Sequence, residues 1–67
     1  MNIQKMTTLL VLHQYNAIAD ALRVDDSLPP GQPKPYGVRE HADLQEEASA
    51  LEEELDRRRA TYTKIVW

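Results

Sequence analysis

The chain has 67 residues, of which 42% are hydrophobic; 11 acidic and 8 basic side chains give a net charge of −3, and there is no cysteine. That length admits one domain with a small core, and a chain this short is marginal without a staple. The absence of cysteine excludes disulfides and thiolate metal sites, and the mildly acidic balance argues against a generic nucleic-acid binder.

Residues 1–24 are apolar-rich and nearly neutral. Val11, Tyr15, Ile18 and Leu22 step by helical intervals, with Leu12 and Ala19 widening the stripe. The Thr-, Leu- and Val-rich run from Met6 to Leu12 suits a strand on propensity alone. No turn signal separates it from the helix that follows, so a single helix is expected over about residues 3–24. Asn2 is a candidate N-cap, and Asp25, Asp26 and Ser27 supply turn chemistry at the end. The longest apolar run, Leu9 to Leu12, is far too short to span a membrane. With only Lys5 before that run and no small-residue cleavage site after it, a secretory leader is not expected. The chain reads as soluble and cytoplasmic.

Residues 25–37 form a linker that contains all four prolines. Pro29, Pro30, Pro33 and Pro35 forbid a helix and favour an extended path. The linker is longer than usual for a helical hairpin. It allows the second helix to fold back or to reach another subunit. Pro30-Gly31-Gln32-Pro33 fits a minimal proline-recognition pattern, but that pattern is very unspecific and a stiff spacer is the favoured reading.

A second helix is expected over about residues 38–63, with Gly37 as N-cap and an apolar tail at 64–67. Thr61 to Trp67 has strand-like composition, so this stretch is either the last helical turns or an extended tail. The segment carries a heptad-like seam: His41, Leu44, Ala48, Leu51, Leu55, Arg58, Tyr62 and Ile65. Such a stripe needs a partner helix. Acids crowd residues 40–56 and bases crowd residues 57–64, which suits the helix macrodipole. The same polarity favours antiparallel over parallel self-pairing. The expected architecture is therefore all-α: a helical hairpin that completes an antiparallel four-helix bundle by oligomerisation, most simply as a dimer.

Constellations that could carry chemistry are sparse. The carboxylates around Glu40, Asp43, Glu46, Glu47 and Glu53 read as a solvated helix face. A Glu-x-x-His di-metal pattern is absent, and neither His13 nor His41 has a ligand set at metal spacing. No Ser-His-Asp order, phosphate loop or nucleotide fingerprint occurs. No cofactor, no metal and no enzymatic activity are expected. Arg57, Arg58, Arg59 and Lys64 could contact an anion, although nearby acids oppose a phosphate backbone. Tyr15, Ile18, Leu22, Leu44, Leu51, Leu55, Tyr62, Ile65 and Trp67 are the expected interface. Tyr62, Ile65 and Trp67 are expected either to anchor a larger protein partner or, equally, to cap the hydrophobic core of an oligomer.

The expected function is a small non-enzymatic protein–protein interaction module: an assembly factor, accessory subunit or inhibitor. This type is common among products of phages and other mobile elements. The alternative is an oligomeric regulator that binds a nucleotide or nucleic acid through the basic cluster ending the second helix.

Overall fold

The computed structural model describes residues 2–67. Among them the elements are a 3-10 turn at Ile3–Lys5, helix α1 at Thr8–Ser27, a second 3-10 turn at Val38–Glu40 and helix α2 at Ala42–Arg57, with no strand. The fold is all-helical, and α1 and α2 pack against each other. They run antiparallel: Tyr15 meets Glu52 midway, and Arg58 meets Thr8 at one end.

Helix α1 starts at Thr8 rather than near residue 3. Thr7 is extended, and its hydroxyl oxygen accepts the Leu10 N–H at 3.1 Å. That is an ordinary N-cap, and it separates the helix from the preceding turn. The stripe Val11, Tyr15, Ile18 and Leu22 is buried as its spacing implies. Asp25 extends the stripe by one more helical step and is itself only 2% exposed. The helix therefore runs past Val24 to Ser27. Pro29 then forces the extended geometry seen at Leu28 and stops the helix.

The connection turns at Pro29-Pro30-Gly31-Gln32, where the Gln32 N–H donates to the Pro29 carbonyl at 3.3 Å. Gly31 has φ +89°, which suits the third position of a turn with proline in the second. The chain is then drawn back by Asp25. One carboxylate oxygen accepts the Tyr36 N–H at 3.1 Å and the other accepts the Val38 N–H at 2.9 Å. Lys34 donates to the Asp25 carbonyl at 2.8 Å. Next to this, Arg39 makes a two-pronged pair with Asp26 at 3.0 and 2.8 Å. These contacts seat Val38, which is 1% exposed, in the core.

Helix α2 is shorter at both ends than residues 38–63. Val38–Glu40 forms a separate turn, and His41 has extended dihedrals, so regular helix begins at Ala42. At the other end the chain leaves the helix after Arg57. Arg59 adopts the left-handed conformation, with φ +57°. Its N–H donates to the Asp56 carbonyl at 3.0 Å, and the Ala60 N–H donates to the Leu55 carbonyl at 2.9 Å. This paired closure is a Schellman motif, with arginine where glycine is usual. A left-handed arginine costs about 1–2 kcal/mol relative to an unstrained residue. Arg59→Gly is expected to stabilise the fold by about 1 kcal/mol, raising the thermal midpoint by roughly 4–8 °C. Arg59→Ala should leave the midpoint close to wild type. A lowered midpoint for the glycine variant would refute the argument.

Residues after Arg59 form no helix or strand. They fold back along the hairpin, and Ala60, Tyr62, Ile65 and Trp67 pack against its core. The Tyr62 ring meets Tyr15 edge-on, with centroids 5.3 Å apart and an interplanar angle of 82°. The Ile65 N–H donates to the Tyr15 hydroxyl at 2.8 Å, and that hydroxyl donates to Glu52 at 2.9 Å. An Arg39 N–H donates to the Trp67 carbonyl. The fold is thus an antiparallel helix pair with an irregular segment along one side. The core comprises Val11, Tyr15, Ile18, Leu22, Val38, Ala48, Leu51 and Leu55.

Candidate interaction surface

The side chains expected to form an interface divide into two groups. Tyr15, Ile18, Leu22, Leu51 and Leu55 are buried within the single chain. Leu44, Tyr62, Ile65 and Trp67 are half-buried and pack against that same core. The hairpin and its own tail occupy these groups. Leu44, Ala48, Leu51 and Leu55 share one face of α2, as the seam implies. His41, Arg58, Tyr62 and Ile65 fall outside the helix bounds, so the seam is not continuous.

The four basic residues proposed for anion contact are not equivalent. Arg57 and Arg58 both pair with Glu54, which is 6% exposed. Hydrogen bonds from Arg57 and Arg58 hold the Glu54 carboxyl below its ordinary pKa range. Arg58 also donates to the Thr8 hydroxyl at 3.1 Å and to the carbonyls of Ile3 and Gln4 at 3.2 and 3.3 Å. It ties the first turn to the end of α2. Arg59 and Lys64 are exposed.

The tyrosine pair is set for packing rather than for acid–base work at neutral pH. Burial, with the Glu52 carboxylate beside it, pushes the Tyr15 hydroxyl above its usual range. Burial and the Asp56 carboxylate, 2.7 Å from its hydroxyl, raise Tyr62 further. Among the described residues, no group of three or more His, Asp or Glu side chains is placed to hold a metal ion. No helix among them is long and apolar enough to cross a membrane.

The two helices present different outer faces. The solvent side of α2 is polar: Gln45, Glu46, Ser49 and Glu53 line it with Ala42 and Ala50. The outer side of α1 is not. Leu9 is 78% exposed, and Leu10 and Val24 are each 44% exposed. Leu10, His13, Ala17, Ala21 and Val24 recur at helical spacing along one flank of α1, beside its core stripe, with Ala21 itself packed against the core. Near them the 55%-exposed ring of Tyr36 stands over Ala17 and Ala21, and together with Ile18, Val38 and Leu44 they line a shallow apolar groove. A small globular protein normally scatters exposed apolar groups, and a contiguous set of them marks an interaction site.

The α1 outer face is absent from the expected interface. The sequence does hold a signal for it in the run Leu9-Leu10-Val11-Leu12. At 100° per residue, four consecutive apolar side chains cannot all face one core. Leu9 and Leu10 are the excess. No protein family, curated protein or solved structure matches this chain.

Proposed function

We propose that this chain is a small non-enzymatic protein–protein interaction module, acting as an assembly factor, accessory subunit or inhibitor. It binds by helix packing through the outer face of α1. The observation that carries this reading is that α1 is apolar on two sides, while the chain's own core uses only one. The engagement of Arg57 and Arg58 by Glu54 supports a protein partner over a phosphate-bearing one.

The test is capture from the native host with the immobilised chain. Proteins retained by wild type should be lost with Leu10→Asp and Ala17→Asp, and kept with Arg59→Glu combined with Lys64→Glu. The opposite pattern, with nucleic acid in the retained fraction, would overturn the reading in favour of an anion-binding regulator.

A further inference from the structure

We propose that residues 60–67 are a detachable strap: a self-ligand that closes a groove along the hairpin, which in the open state takes an extended apolar segment of the same pattern from a protein partner. The proposal is independent of the α1 outer face, since it concerns the surface that the chain covers with its own tail.

The segment runs the length of the hairpin. It leaves α2 at Arg59, Tyr62 meets Tyr15 and Asp56, and the Trp67 carbonyl reaches Arg39, which precedes α2. The sixteen residues of α2 rise about 24 Å. The segment covers that distance only when drawn out, at about 3.3 Å per residue. Its burial follows the same form. Tyr62, Ile65 and Trp67 pack against the core, whereas Thr61, Thr63, Lys64 and Val66 are exposed. Beyond Ala60, three hydrogen bonds fix the segment among the described residues. The Tyr62 hydroxyl donates to Asp56 at 2.7 Å, the Ile65 N–H donates to the Tyr15 hydroxyl at 2.8 Å, and Arg39 donates to the Trp67 carbonyl. Two of these bonds engage backbone groups, which any drawn-out chain offers. Selection is left to side chains in the order aromatic, aliphatic, aromatic. Main-chain bonds for affinity and spaced side chains for specificity are the parts of an extended-peptide site.

The same contacts make the strap separable. Every fully buried core side chain, from Val11 to Leu55, belongs to the helices and their connection, and none to the strap. The strap forms no helix or strand, so opening it breaks few backbone bonds. Its hinge is Arg59, held at φ +57°. That strain belongs to the closed state and is released on opening. The closed state still prevails in the free chain, because a short tether holds the strap at a millimolar effective concentration. A partner segment must displace it, which makes the strap an autoinhibitory contact.

A fluorescently labelled peptide with the sequence of residues 60–67, titrated into the full chain, tests this. Wild type is expected to bind it weakly, because its own strap competes. Ile65→Ala combined with Trp67→Ala weakens the strap and is expected to bind the peptide roughly tenfold more tightly, with the helical circular dichroism of wild type. A peptide carrying Ile65→Asp is expected not to bind. Amide hydrogen exchange of the wild-type chain is the second measurement, with protection at Ile65 expected roughly tenfold or more below that at Leu51. Equal protection at the two sites, or loss of the helical signal in the double variant, overturns the strap, since either means that tail and hairpin fold as one unit. A folded double variant that binds the peptide no better than wild type overturns the groove. Equal binding of the Ile65→Asp peptide overturns the side-chain pattern.

Discussion

Leu51→Asp is expected to unfold the chain outright. Leu51 is fully buried, at the centre of a core shared with Val11, Tyr15 and Leu55. Truncating a leucine at such a site costs roughly 2–5 kcal/mol. Leaving a carboxyl group there without a partner adds several kcal/mol, whether it stays charged or takes up a proton. Against this, a chain of this size has a total stability of about 3–10 kcal/mol. The sum exceeds the reserve, so the variant should lose its helical far-ultraviolet signal at 25 °C without denaturant. The informative comparison is Ala17→Asp. Ala17 is exposed, so the same carboxylate there costs only about 0.5 kcal/mol of helix propensity. A cooperative urea transition for Leu51→Asp, near that of wild type, would show that the core is not where the structure puts it. The contrast separates folding from association. A charge on the inner stripe destroys the monomer, whereas a charge on the outer face leaves it folded.

That contrast also marks what was legible in the sequence. The inner stripe of α1 and the Leu44, Ala48, Leu51 and Leu55 face of α2 follow from spacing alone, because a helix maps three- and four-residue steps onto one side. The helix ends did not follow from spacing. Val38 continues the apolar pattern of α2 but belongs to a separate turn, because Asp25 pulls its N–H towards α1. The seam continues through Tyr62 and Ile65, yet the backbone leaves the helix at Arg59. Nothing in Arg57-Arg58-Arg59 announces a left-handed residue, since glycine and asparagine are the usual signals. Tertiary packing decides there: Tyr62, Ile65 and Trp67 bury against the hairpin only if the chain turns back. Arg58 continues the periodicity for a different reason, since it serves as a clamp on Ile3, Gln4 and Thr8. The outer face of α1 was legible in principle from the run Leu9 to Leu12. A single search for the best stripe absorbs Val11 and Leu12 and leaves Leu9 and Leu10 without a role.

Asp25→Ala is expected to be the most damaging change of a polar side chain. Read from the sequence, Asp25 is a turn residue, one of a pair with Asp26. The structure gives the two neighbours opposite situations. Asp26 faces solvent, and its pairing with Arg39 lowers its carboxyl pKa. Asp25 is 2% exposed, and both of its carboxylate oxygens are occupied by backbone N–H donors eleven and thirteen residues ahead. Hydrogen bonds to a charged group contribute about 1.5–3 kcal/mol each, and a donor left buried without an acceptor is penalised on a similar scale. Removing the carboxylate forfeits both bonds and strands the Val38 N–H in the core. The expected loss is about 3–5 kcal/mol, a large share of the total stability. Asp25→Asn should fall between, because its amide offers one acceptor oxygen and turns a second donor towards the N–H groups. Asp26→Ala should be mild, since its pair with Arg39 lies in solvent. Amide hydrogen exchange gives the sharpest readout. In Asp25→Ala the Tyr36 and Val38 amides should lose protection before those of Leu51 and Leu55. Equal loss at all four would mean that Asp25 holds the whole fold, and unchanged protection at Tyr36 would refute the tether. The expected order places the weakest point of the hairpin in the connection beside the α1 outer face. Tyr36 lines the groove beside that face, so loosening the tether should also disturb the groove without any change to α1 itself.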